Sequence, residues 1–80
     1  MPPGALGVVG NLTVTGTTGP GDLILYPAGA AQPNVSNINY SFGQTIANAA
    51  NVGLSSGGAM SLFVHVSSTH AIFDVAGYVY

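Results

Sequence analysis

Residues 59–80, AMSLFVHVSSTHAIFDVAGYVY, decide the fold class. Met60, Leu62, Val64 and Val66 alternate with other residues, and Ala71, Phe73, Val75, Gly77 and Val79 repeat the alternation after the polar break Ser67-Ser68-Thr69. A period of two is that of a β-strand with one buried face. A hairpin closed at Ser67-Ser68 sets Val64 across from Ala71, Leu62 from Phe73 and Met60 from Val75, so apolar meets apolar on every rung. The same register puts His65 opposite His70 and Ser61 opposite Asp74 on the outer face.

That stretch also gathers both histidines and one of the two acids of the chain, with serines and a threonine between them. These are the side chains of nucleophilic catalysis. A triad, however, needs a histidine between nucleophile and acid. In this register Ser61 faces Asp74, and the histidines stand several rungs away. The expectation is therefore a cross-strand hydrogen bond, no catalytic residue and no enzyme. His65 and His70 are close enough in this pairing to share zinc or copper. Two neutral ligands without a third make a weak site, so exposed histidines are expected, with no metal and no other cofactor.

The rest of the chain has the same grain. Glycines and prolines interrupt it at 16–21 (GTTGPG), 27–33 (PAGAAQP), around Gly43 and at 55–58 (SSGG), leaving segments rich in Val, Ile, Leu, Thr and aromatics. In 6–15 the apolar set is Leu6, Val8, Gly10, Leu12 and Val14; in 36–42 it is Ile38, Tyr40 and Phe42; in 45–54 it is Ile46, Ala50, Val52 and Leu54, with Asn48 intruding. A first hairpin around GTTGPG pairs Val14 with Leu23 and Leu12 with Leu25, and Asp22 caps or ends that turn. GTTGPG lacks the Lys and the following helix of a phosphate loop. No segment has a 3.6-residue period. The chain reads as one all-β domain over residues 1–80: about six antiparallel strands in a small sandwich or barrel-like fold.

Composition narrows the partners. A typical domain of this length carries roughly 20 charged side chains; this one has two, Asp22 and Asp74, and no Lys or Arg. A chain without a fixed positive charge cannot neutralise phosphates, which argues against nucleic acid and anionic membranes. Its apolar residues are scattered, and no run approaches the roughly 20 of a membrane span. The opening MPPGALGVVG has neither the basic region nor the apolar run of a signal peptide. There is no cysteine for a disulfide or a thiolate metal site. So short a chain hides only about 60% of its unfolded surface, so neighbours are expected to add to its stability.

Asn11-Leu12-Thr13, Asn34-Val35-Ser36 and Asn39-Tyr40-Ser41 match the N-glycosylation acceptor pattern, making Asn11, Asn34 and Asn39 candidate sites. The alternative is that these side chains bond to the backbone in turns and edges. Glycans would keep an almost uncharged surface soluble.

The blocks Gly10-Asn11-Leu12-Thr13-Val14-Thr15, Leu25-Tyr26-Pro27, Pro33-Asn34-Val35-Ser36-Asn37-Ile38-Asn39-Tyr40, Gly43-Gln44-Thr45-Ile46-Ala47-Asn48 and Asp74-Val75-Ala76-Gly77-Tyr78 span essentially the whole chain. In order and spacing they resemble the β-rich repeat unit of secreted and cell-surface tandem-repeat proteins of bacteria. The resemblance implies an extracellular or cell-surface location and a β-module without catalytic residues of its own. Two departures stand out: the family's N-terminal Asp-Thr-Arg segment is missing, and so are its basic residues. The first implies a sheet short of a strand or two.

An incomplete sheet leaves an open edge, which templates another chain. The expected function is a structural subunit of an extracellular filament or surface assembly, a homopolymer completed by a neighbouring subunit's strand. The candidate intermolecular strands are 5–15 and 70–80, through Leu6, Val8, Leu12, Val14, Ile72, Val75, Tyr78 and Tyr80. The alternative is a carbohydrate- or cell-wall-binding module in which Tyr26, Tyr40, Tyr78 and Tyr80 stack on glycans.

Overall fold

The computed structural model describes residues 4–34 and 36–80; residues 1–3 and Val35, the middle of one acceptor pattern, lie outside them. The described residues form six strands and no helix: β1 (Gly7–Thr15), β2 (Gly21–Pro27), β3 (Ile38–Tyr40), β4 (Ile46–Gly53), β5 (Met60–His65) and β6 (His70–Val79). They make two antiparallel three-stranded sheets, ordered β4-β1-β6 and β3-β2-β5. All-β and six-stranded is what the alternation predicts.

The strand partners differ from the expected ones. Neither hairpin forms. β1 pairs with β4 and β6, setting Leu12 against Phe73 and Val14 against Ala71. β2 pairs with β3 and β5, setting Leu23 against Val64 and Leu25 against Leu62. Alternation fixes the face a side chain takes but not which strand lies beside it, and here both proposed turns cross from one sheet to the other. The two crossings are bonded together at one end of the sandwich. The Thr18 amide donates to Ser68 O at 3.1 Å, Ser67 Oγ to Pro20 O at 2.7 Å and Thr69 Oγ1 to Thr15 O at 3.1 Å. Thr17, buried in this corner, donates from Oγ1 to Ser41 O at 2.6 Å and accepts there from the Gln44 amide at 2.8 Å. The tight exit from β5 puts Val66 at φ 76°, an unfavourable conformation for a β-branched residue, and leaves its side chain in solvent.

The core lies between the sheets. Val8, Leu12 and Val14 from β1, Leu23 and Leu25 from β2, Ile38 and Tyr40 from β3, and Ala50 and Val52 from β4 form one buried cluster. Each fully buried aliphatic side chain contributes about 1.5–3 kcal/mol. Asn48 shares this face, paired with Leu12, but sits at the exposed end of it and donates from Nδ2 to Asn37 O at 3.2 Å. Asn37 in turn accepts the Leu25 amide on Oδ1 at 2.7 Å, pinning the chain to β2 just before β3 begins.

Besides Val66, four residues assigned to the apolar face are elsewhere. Leu6 and Phe42 lie outside their strands and are exposed. On β6 the register shifts opposite Val9 and Gly10, so Ala76 has no partner and the parity inverts beyond it. Tyr78, opposite Val8, thereby joins the inner face, while Gly77 and Val79 turn outward.

Candidate functional site

Two features stand apart from an ordinary sandwich. The first is the side formed by β5 and β6. β4 packs over β2 and β3, whereas β5 and β6, the edge strands at the other side, make no comparable approach to each other. The consequence is visible rung by rung. Val8, Leu12 and Leu25 are buried, yet their partners on the same face, Tyr78, Phe73 and Leu62, are 41% exposed, partly buried and 46% exposed. Val75, opposite Gly10, is 43% exposed. The outer faces of the same two strands add Phe63, Ile72 and Val79, all exposed. β6 is ten residues long, bonded on one side only and apolar on both faces. An edge of this kind is a template for pairing with another strand.

Of the candidate intermolecular residues, Ile72, Val75 and Tyr78 are on this edge and Tyr80 just beyond it. The first strand is not an edge. β1 is paired on both sides, and Val8, Leu12 and Val14 are fully buried, so within this fold it has no free backbone to offer a neighbour.

The second feature is an open depression of about 250 Å³ on the outer face of the β3-β2-β5 sheet, lined by Asp22, Ile24, Gln32, Pro33, Asn34, Ser36 and His65. Ile24 points away from the core, since Leu23 and Leu25 point into it, yet it is buried because the segment between β2 and β3 folds across it. Asp22 is no turn cap. It lies within β2 opposite His65, with Oδ1 3.5 Å from His65 Nδ1. That oxygen is buried and accepts no hydrogen bond. The His65 ring stacks on Phe63, the ring centroids 6.0 Å apart.

The geometry separates the groups that the sequence brought together. His65 is opposite Asp22 and His70 opposite Thr15, on different sheets. Ser61 is opposite Tyr26 and Asp74 opposite Asn11. Among the described residues, no three or more His, Cys, Asp or Glu side chains are grouped to hold a metal. Ser36 shares the depression with Asp22 and His65, but its hydroxyl donates to Asn39 Oδ1 at 2.9 Å. Nucleophile and base are thus uncoupled. Asn11, Asn34 and Asn39 are all exposed. The tyrosines form no common platform: Tyr40 is core, Tyr26 lies on the outer face of β2, and Tyr78 and Tyr80 belong to the other sheet's edge strand and its end.

Tyr40 is nonetheless informative. Its hydroxyl donates to the Ser67 carbonyl, tying β3 to the crossing that follows β5. Burial, with a smaller contribution from the Asp22 charge, pushes that hydroxyl above its ordinary value of 10.0. The folded state therefore holds the proton more tightly than the unfolded chain. The resulting stability is complete below pH 10 and is lost as pH rises through the folded value. Melting temperature is expected to hold up to pH 10 and to fall as pH rises above it. Tyr40→Phe should flatten that fall while lowering stability at neutral pH by about 1 kcal/mol, because the Ser67 carbonyl loses its partner.

The fold and these two features define a small all-β sandwich-like module with an open apolar side and one polar depression. No family model, no curated protein and no solved structure matches the chain.

Proposed function

We propose that the chain is a structural module of an extracellular or cell-surface assembly, in which the β5/β6 side of one copy is completed by a second copy. The observation that carries this reading is the half-exposure of Leu62 and Tyr78 opposite the core residues Leu25 and Val8, joined by Val75 opposite Gly10. A monomer with this side bare exposes apolar surface and unpaired backbone together.

A second copy fits by chemistry. The inner face of this side is uncharged, and the chain has no cation with which to select an acidic partner. β6 is suited to pair antiparallel with itself about a two-fold axis normal to the sheets, an axis that also brings β5 towards its counterpart. Asp74, outward on β6, disfavours the register in which it would face its own copy and so selects a neighbouring one. The opposite side, with β3 of three residues and β4 rich in Ala and Asn, offers a weaker second contact through which pairs extend into a filament. The resemblance to bacterial surface repeat units supports the location. Glycans on the exposed Asn11, Asn34 or Asn39 would shield the faces that stay in water. No catalytic step belongs to this reading.

Sedimentation over a range of concentrations tests it. The chain is expected to associate reversibly and to remain associated in about 1 M NaCl, because no ion pairs hold the contact. Val75→Lys alters a side chain already half in solvent, and is expected to yield a folded monomer. A chain that sediments as a monomer at every concentration, or an assembly that salt dissolves, refutes the reading.

A further inference from the structure

We propose that the depression on the outer face of the β3-β2-β5 sheet binds one ring of a neutral sugar. This goes beyond the assembly reading and is independent of it, since the depression faces away from the inner side on which Leu62 and Val75 lie.

The construction of the depression selects the ligand class. Ile24, nearly covered by the segment between β2 and β3, and Pro33 are the apolar members of its lining. Its walls are Gln32, Asn34 and Ser36 on the covering segment, and Asp22 and His65 on the strands. Two amides, a hydroxyl, a carboxylate and an imidazole present donors and acceptors together, which is what vicinal hydroxyls require. Asp22 Oδ1 is the most demanding of them. It is buried, it has no hydrogen-bond donor, and the His65 nitrogen at 3.5 Å is too far to serve as a good one. That oxygen is sealed from solvent, but the Asp22 side chain is 29% exposed, so a ligand hydroxyl meets the carboxylate at its exposed part and makes a charge-assisted bond there.

Competing classes fit less well. An anion meets a carboxylate in a chain without Lys or Arg. A metal ion finds only Asp22 and His65, with no third ligand of the usual kinds among the described residues. An apolar molecule leaves Asp22 unsatisfied. An organic ammonium pairs with Asp22 but makes no use of the amide N–H groups of Gln32 and Asn34, which stay bonded to water. Size limits the ligand as well. At about 250 Å³ the space is below the roughly 300–1,000 Å³ of pockets for drug-sized ligands, so it suits one ring and not an oligosaccharide. The His65 ring, backed by Phe63, and Pro33 stand at the rim, where the next residue of a glycan would leave.

The test is a titration of the full chain, isotopically labelled, with glucose, galactose, mannose and N-acetylglucosamine in turn, followed by backbone amide shifts. At least one sugar is expected to give saturable shifts at Asp22, Ile24, Gln32, Asn34, Ser36 and His65. A dissociation constant of roughly 1–10 mM is expected from the few heavy atoms engaged. Gln32→Ala, at an exposed position, should fold normally and weaken binding about tenfold. Asp22→Asn should weaken it at least as much, and Gln32→Ala carries the test if that variant does not fold. The proposal is overturned if no sugar shifts these residues up to about 100 mM, if the shifts are unchanged in Gln32→Ala, or if tetramethylammonium binds there and the sugars do not. Because monomer and assembly expose the depression alike, the result does not depend on whether copies associate.

Discussion

Gly10→Val is expected to unfold the chain. Gly10 lies in the centre of β1, bonded to β4 at Ala50 and to β6 at Val75, beside the place where the β6 register shifts. A Cβ at this position would run into the Asp74 carbonyl oxygen and stand 2.9 Å from Cζ of Phe73. The first is backbone of the neighbouring strand, so relief requires moving β6, and the second is the one large side chain that seals the β6 end of the core. Overpacking alone costs about 1–3 kcal/mol. Separating β6 from β1 also breaks one of the two ladders of the β4-β1-β6 sheet and withdraws Phe73 from the core. A domain of this size has about 4–12 kcal/mol in all. Gly10→Ala should therefore lose about 3 kcal/mol or more, and the two further carbons of valine should exhaust the remainder. Gly53→Ala is the control, since its Cβ would meet only Cγ of Pro27 at 3.4 Å, an ordinary contact. Circular dichroism and denaturant melts distinguish the two. A folded Gly10→Val within about 1 kcal/mol of the parent would contradict the close approach of β1 and β6.

Gly10 also marks the boundary of what the sequence disclosed. Alternation identified it as a core-facing position and located all six strands within a few residues, because each half-buried strand writes its own period into the chain. The buried set Val8, Leu12, Val14, Ile38, Tyr40, Ala50 and Val52 was legible for the same reason. Neighbours were not legible. Leu12 faces apolar residues whether its partner is Leu25 or Phe73, so parity cannot separate a hairpin from a crossing between sheets. The shift at Ala76 was equally silent, and one extra residue moved Tyr78 inward and Val79 outward. The depression was hidden for a related reason. Ile24 reads as one more member of Leu23-Ile24-Leu25, and only the segment folded over it shows that both faces of β2 are covered. The Asp22–His65 pair joins residues 43 positions apart, by subtraction of their numbers, through a β2–β5 pairing that alternation does not specify.

The same asymmetry between the two sides of the sandwich yields a second large effect, one that separates core from contact. Leu12 is fully buried at the centre of β1, between Asn48 and Phe73. Leu12→Ala is expected to cost about 3–5 kcal/mol through lost burial and the cavity left behind, roughly half or more of the total for many domains of this length. Leu62 is the same residue type on the same inner layer, but 46% exposed on β5. In a dilute monomer Leu62→Ala should cost only about 1 kcal/mol, because much of its surface is already in water. If a second copy covers the β5/β6 side, that cost must grow with protein concentration, since association stabilises the folded state by mass action and the variant forfeits part of the contact. Leu12→Ala has no such route: its loss arises inside each copy and should be the same at low and high concentration wherever the parent's association state is the same. Denaturant melts of the parent and both variants at concentrations about a hundredfold apart read the difference directly. A Leu62→Ala penalty that stays constant while the parent's own midpoint also stays constant means that nothing covers this side, and the assembly reading fails on the residue that most supports it.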